Sequence, residues 1–437
     1  MLIKNSDEIL SHALAGSLNA RRDALKIFEE TMKAIDAYTV TKSSLAKDDN
    51  ILSVKGERIN LSHFRDIYVI GFGKASTGMA RAVEEILPIK KGIVISNKEE
   101  SLSTIKILSG SHPLPTEKNI EATEEMLKIV EGAGKHDLII VLISGGGSSF
   151  LCKPKVSLKS LREVTDRLLK AGCTINELNT VRKHISYVKG GQLVRMSKAT
   201  MLSLIISDVM GSPIEFIASG PTAPDSTTYM DAKNILEKYG MWDSIEEVKS
   251  VINSGIEGKI DDTPKKVDNA RNIIIASNET ACDGAREVAS RKGYHSKVVS
   301  TSLSGEARYA GIDIAKYAKL FPRRRTALIF GGETTVTVSG KGVGGRNQEL
   351  VLGTIKEIEN ECIVILSCGT DGIDGNSDAA GAIGDGLSLE RGGKLGMNVD
   401  DYLRNNDSYH FFKNLGDLIM TGPTGTNVMD IQIVIKY

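Results

Sequence analysis

Residues 138–150 read Leu138-Ile139-Ile140-Val141-Leu142-Ile143-Ser144-Gly145-Gly146-Gly147-Ser148-Ser149-Phe150. An unbroken aliphatic run without polar alternation describes a strand buried on both faces, the kind found in parallel sheets covered by helices. Three consecutive glycines then cost folding entropy and need a reason. With the hydroxyls of Ser144, Ser148 and Ser149 beside them, their N–H groups can form a nest for an anion. A flexible hinge is the plainer alternative.

The pattern repeats outward. Strands are expected at 67–70, 92–96, 201–207, 272–276, 297–300, 327–330, 334–338, 363–367 and 431–436. Helical periodicity lies between most of them, as at 117–130, 158–169 and 306–320. Such alternation predicts two Rossmann-like α/β domains with mostly parallel sheets. A charged stretch carrying Gly255, Gly258 and Pro264 suggests the division. The first domain is then 1–240, a connecting segment 241–264, and the second domain 265–437. The lead segment 6–38 reads as one long amphipathic helix or two shorter ones.

Lys+Arg and Asp+Glu each number 55 in 437 residues, so no net field draws the chain to nucleic acid or an anionic membrane. The five cysteines are scattered, without zinc spacing, and fit buried thiols in a reducing compartment. The N-terminus MLIKNSDEIL lacks a signal-peptide core. The longest apolar run, 138–143, falls far short of the roughly 20 residues of a membrane span. A cytoplasmic protein is expected. Dimerisation is compatible with this, although no sequence feature demands it.

In open α/β sheets, ligands bind outside the carboxyl ends of the strands. There, Gly71-Phe72-Gly73-Lys74-Ala75-Ser76 follows one strand and places a lysine where a helix begins. The third glycine of a dinucleotide fingerprint is replaced by Ser76, the next strand ends Ser96-Asn97-Lys98, and the acidic pair Glu99 and Glu100 comes late. No Walker loop occurs. Asp208 stands at the tip of another strand, where it can accept a proton, hold a metal or merely cap a turn. Asn179-Thr180-Val181-Arg182-Lys183-His184 groups basic residues on a helix; a solvated face is the simpler reading. Further on come Gly331-Gly332-Glu333-Thr334, then Gly344-Gly345-Arg346-Asn347-Gln348-Glu349. Next is Gly369-Thr370-Asp371-Gly372-Ile373-Asp374-Gly375, and finally Thr421-Gly422-Pro423-Thr424-Gly425-Thr426-Asn427. Aspartates among glycines suit a hard cation, although the context is not that of an EF-hand. Lone His112 and His184 are more often structural than catalytic.

In this order the motifs resemble the glycerate 2-kinase family, whose C-terminal part is called the MOFRL domain. The match runs through GFGKAS at 71–76, GSHPLP at 110–115, LISGGGSS at 142–149, NTVRKHIS at 179–186, SDVMGSP at 207–213 and ASGPT at 218–222. It continues through GGETTV at 331–336, GGRNQE at 344–349, GTDGIDG at 369–375 and TGPTGTNVMD at 421–430. One departure is Ser212, where the family more usually has aspartate.

The resemblance implies ATP-dependent phosphorylation of D-glycerate on its 2-hydroxyl with Mg²⁺, and two α/β domains with an active-site cleft between them. Family positions match at Lys74, Asp208, Glu333, Arg346, Asp371 and Asn427. On phosphoryl-transfer physics, Lys74 and the nest formed by Gly145, Gly146, Gly147 and Ser148 are expected to hold phosphate oxygens, and Gly73, Ser144 and Arg182 are expected to bind substrate or nucleotide. Arg346 is expected to hold the glycerate carboxylate or the transferring group. Asp208 is the first choice as base and Asp371 as metal ligand, and the two roles can be exchanged. Glu333 and Asn427 orient substrate or nucleotide. The rivals are an NAD(P)H-dependent hydroxypyruvate reductase and a non-catalytic sensor of nucleotides or sugar acids.

Overall fold

The computed structural model describes residues 2–14, 16–97, 100–322 and 324–437; Lys98 and Glu99 therefore lie outside the described residues. The chain forms two compact units, residues 37–275 and residues 1–36 with 276–437.

The 37–275 unit begins with a small antiparallel sheet, β1 (Leu45–Asp48), β2 (Ile51–Val54) and β3 (Glu57–Asn60). Its main sheet contains β4 (Ile67–Phe72), β5 (Lys91–Ser96), β6 (Ile105–Ser109), β7 (Leu138–Ile143), β8 (Thr200–Ile206) and β9 (Ala270–Ala276). The spatial order is β6-β5-β4-β7-β8-β9. The chain thus starts in the middle, winds one way through β5 and β6, then the other way from β7, which is the doubly wound order. Pairs from β6 to β8 are parallel, and β7 is buried at every residue, as its aliphatic run predicts. Edge strand β6 escapes the sequence pattern because only Ile105 of its five residues is buried.

The other unit holds β10 (His295–Leu303), β11 (Thr326–Gly332), β12 (Ile363–Gly369), β13 (Gly381–Asp385), β14 (Leu418–Ile419) and β15 (Asp430–Lys436), in the order β10-β11-β15-β12-β13-β14. The architecture is α/β as expected, but the sheet is not mostly parallel: β10–β11 is parallel and the other four pairings are antiparallel. Only 11 residues separate β12 from β13, too few for the crossover that a parallel neighbour requires. The β-branched run 334–338 forms no strand, only an isolated bridge from Thr335 to Glu306. No neighbouring strand pairs with it.

The unit boundaries also differ from the expected division. Helix Glu246–Ile256, in the supposed connecting segment, buries Val248 and Ile252 in a cluster with Leu161, Leu168, Tyr229 and Leu236. It is therefore part of the first unit's packing. The lead segment is broken into helices Ser6–Ser11 and Leu18–Ala34 and joins the later unit. There the fully buried Arg21 meets Asp385 at 2.6 Å and Asp417 at 2.7 Å, an arrangement no local pattern announces.

Candidate active site

In the 37–275 unit, β4 and β7 lie side by side with Phe72 opposite Ile143, so the loops after them leave the sheet together at its switch point. The loops are tied to each other. The Lys74 N–H donates to the Gly145 carbonyl (2.9 Å) and the Ala75 N–H to Ser144 Oγ (3.0 Å). Gly73 takes φ +124° against Ser144, where a Cβ would collide, which makes glycine necessary there. The N–H groups of Gly145 and Gly146 have no acceptor among the described residues, so the nest inferred from three glycines has free donors.

Next to β7, β8 delivers Asp208. A Cβ on Gly145 would stand 2.5 Å from Asp208 Oδ2, so the carboxylate rests on the glycine backbone. Burial raises the Asp208 pKa, and Lys74 opposes the shift. Lys74, Asp208, Gly73 and the 144–148 turn are thereby brought together. Arg182 reaches the same turn, its Nη2 donating to the Ser148 carbonyl at 3.3 Å, so it is not a solvated face. Lys189, which the motif reading passes over, donates to that carbonyl at 2.7 Å. Its only sequence signal is the adjacent Gly190-Gly191 pair.

His112 stacks on Phe150 with centroids 5.8 Å apart, and its pKa is lowered by burial and then by Lys74. His184 is buried between the Thr180 carbonyl and Asp262, a structural arrangement.

In the other unit, β15 is inserted between β11 and β12, with Asp430 opposite both Gly332 and Gly369. This brings the two loops to one carboxylate. Arg346, at the start of helix Arg346–Thr354, grips Asp430 with Nε–Oδ2 at 2.6 Å and Nη2–Oδ1 at 2.8 Å, while Glu333 lies 3.3 Å from Nη2. Asp374 accepts the N–H groups of Asn347 (3.0 Å) and Gln348 (2.9 Å), capping that helix from outside it. Burial pushes Asp374 and Asp430 up to about 6. Cys368, buried near both, is held well above the ordinary thiol range by burial.

Asp371 is only partly buried, and its Oδ1 accepts the Ile373 N–H. Thr424 bonds the carbonyls of Thr370 and Asp371, tying the 421–427 turn to this loop. Asn427 Oδ1 accepts the Met429 N–H at 3.0 Å. A cavity of about 480 Å³ borders Arg346 and is lined by Glu333, Val336, Val338, Gly345 and Asn406. Of the two carboxylates that organise this cluster, Asp374 is one of the aspartates among glycines read as suiting a cation, whereas Asp430, inside the last quoted motif, carries no separate signal in the sequence.

Among the described residues no group of three or more His, Cys, Asp or Glu is placed to hold a metal. A Mg²⁺ held by one or two carboxylates with water and phosphate oxygens needs no such group. The uncommitted oxygen of Asp371 suits that role.

A doubly wound unit presenting a glycine nest, a lysine and a carboxylate at its switch point has the build of an α/β enzyme for phosphorylated ligands. Residues 23–253 match a domain of unknown function (DUF4147) and residues 326–430 match the MOFRL family. A glycerate 2-kinase of Pyrococcus horikoshii is 40% identical over 432 residues, 96% of this chain and 98% of that protein. A protein of Agrobacterium vitis named as a putative hydroxypyruvate reductase is 41% identical, covering 84% of this chain and 86% of its own. The crystal structure of a glycerate kinase from Thermotoga maritima matches with a TM-score of 0.85 at 37% identity, covering 96% of this chain and 100% of that one. The chain belongs to the glycerate 2-kinase family.

Proposed function

We propose that this chain transfers the γ-phosphoryl group of ATP to the 2-hydroxyl of D-glycerate, giving 2-phosphoglycerate and ADP. The observation that carries this reading is the contact of Asp208 with the Gly145 turn beside Lys74. It joins an anion nest, a cation and a proton acceptor at one switch point. Phosphoryl transfer asks mainly for positioning and charge neutralisation. The nest and Lys74 bind phosphate oxygens, and Asp208 takes the proton of the attacking hydroxyl. Arg346 gives Nε and Nη2 hydrogens to Asp430, with Glu333 also beside Nη2, so the two N–H groups of Nη1 are left to bind the glycerate carboxylate or the transferring group. Glu333 and Asn427 orient substrate or nucleotide. Mg²⁺, bound at Asp371, would neutralise charge on the phosphates.

A cytoplasmic location is part of the same proposal. No helix among the described residues is long and apolar enough to cross a membrane, and buried free thiols at Cys152, Cys282 and Cys368 suit a reducing compartment.

The test is ADP release that requires both D-glycerate and Mg²⁺, with phosphorus NMR locating the new ester. Lys74→Ala is expected to lower turnover at least about a hundredfold. NADH oxidation by hydroxypyruvate, without ADP formation, overturns the proposal.

A further inference from the structure

Among the described residues, two of the three buried Lys and Arg side chains are paired with carboxylates. Arg21 sits between Asp385 and Asp417, and Lys183, almost fully buried, meets Asp225 at 3.2 Å. Lys189, equally buried, and the half-buried Arg182 beside it have no such partner. Lys189 is 2% exposed, yet neither it nor Arg182 has a carboxylate within salt-bridge reach among the described residues. Lys189 Nζ donates to the carbonyls of Ser148 (2.7 Å) and Leu151 (3.1 Å), and Arg182 Nη2 shares the Ser148 carbonyl. Arg182 Nε is buried without any acceptor. A buried cation without a counter-charge is costly, more so with a second, half-buried cation beside it.

The backbone nearby is also strained. Ala218 and Ser219 take φ +52° and +63°. Ser219 Oγ lies 2.8 Å from Ser148 Oγ and donates to Asn179 Oδ1 at 2.9 Å. Strained non-glycine backbone of this kind persists where a site over-determines it.

We infer that Lys189 and Arg182 form the cationic back wall of an oxyanion site whose front is the free N–H groups of the 144–148 turn, and that an anionic group of the ligand supplies the missing counter-charge. Arg182 offers its free donors directly. Lys189 is a positioning residue: it holds the Ser148 carbonyl and adds positive potential from behind. The charged and titratable groups facing Lys189 are Arg182 and Cys152, and burial with Arg182 lowers its pKa to about 7. Anion binding then draws a proton onto Lys189. The inference rests on reading the 144–148 turn as a phosphate site, and two sources share the chemistry: the polyphosphate of a nucleotide and the carboxylate of glycerate.

Calorimetric titration of the full chain with tripolyphosphate and, separately, with D-glycerate tests it without turnover. In Lys189→Met and Arg182→Met, binding of one of the two anions is expected to weaken at least about tenfold. Lys189→Arg should restore most of it, and the wild-type binding enthalpy at pH 8 should depend on the buffer because a proton is taken up. Weakening with tripolyphosphate assigns the site to the nucleotide; weakening with glycerate assigns it to the acceptor. Unchanged affinity for both anions in Arg182→Met overturns the inference, as does a Lys189→Met chain that loses stability alone. Failure of the kinase reading shows separately, as wild-type anion binding without ADP formation.

Discussion

Arg346 and Asp430 form a two-point ion pair, Nε–Oδ2 at 2.6 Å and Nη2–Oδ1 at 2.8 Å, with the carboxylate wholly buried at the start of β15. A lysine ammonium cannot reproduce this fork. Arg346→Lys is therefore expected to cut turnover about a hundredfold or more and to lower unfolding stability by about 3 kcal/mol, since a buried charge loses a partner. ADP release and urea unfolding read the two effects, and a fully active variant would remove Arg346 from the chemistry.

Asp374 supplies a pH signature. An ordinary aspartate titrates near 3.8, whereas burial places Asp374 at about 6 in the fold. Between those values the folded chain holds the extra proton, so this group's contribution falls as pH rises and is fully lost above about 6. The stability of Asp374→Asn relative to wild type should therefore improve from pH 4 to pH 7, by on the order of 2 kcal/mol. Urea unfolding at both pH values measures the difference; a gap that does not move with pH contradicts it.

Gly145→Ala separates catalysis from folding. The added methyl would stand 2.5 Å from Asp208 Oδ2 and 3.0 Å from its Cγ, so the carboxylate must move. A displacement near 1 Å in a reacting group can cost about a hundredfold in rate. The expected outcome is a drop in kcat of about ten- to a hundredfold, with a stability loss below about 2 kcal/mol.

Arg21→Met tests which unit owns the N-terminal helix. Asp385 and Asp417 lose their shared partner, although Arg391 still reaches Asp417 at 2.9 Å. A cost of about 3–5 kcal/mol is expected. Hydrogen exchange should accelerate across 276–437 and leave 37–275 largely protected. Acceleration confined to 37–275 would assign the helix to the other unit.

The sequence by itself determined the local features. Aliphatic runs such as 138–143 marked the buried strands, and glycine, hydroxyl and aspartate clusters marked the loops that follow them, because strand burial and turn geometry are set by neighbouring residues. Tertiary structure decided adjacency. Only the strand order places the Gly73 and Gly145 loops together at a switch point, and only the insertion of β15 between β11 and β12 carries Asp430 to Arg346, 84 residues away along the chain. The unpaired state of Lys189 and the attachment of Arg21 to Asp385 have the same origin. Each depends on which distant backbone closes over a charge, and neither periodicity nor spacing records that.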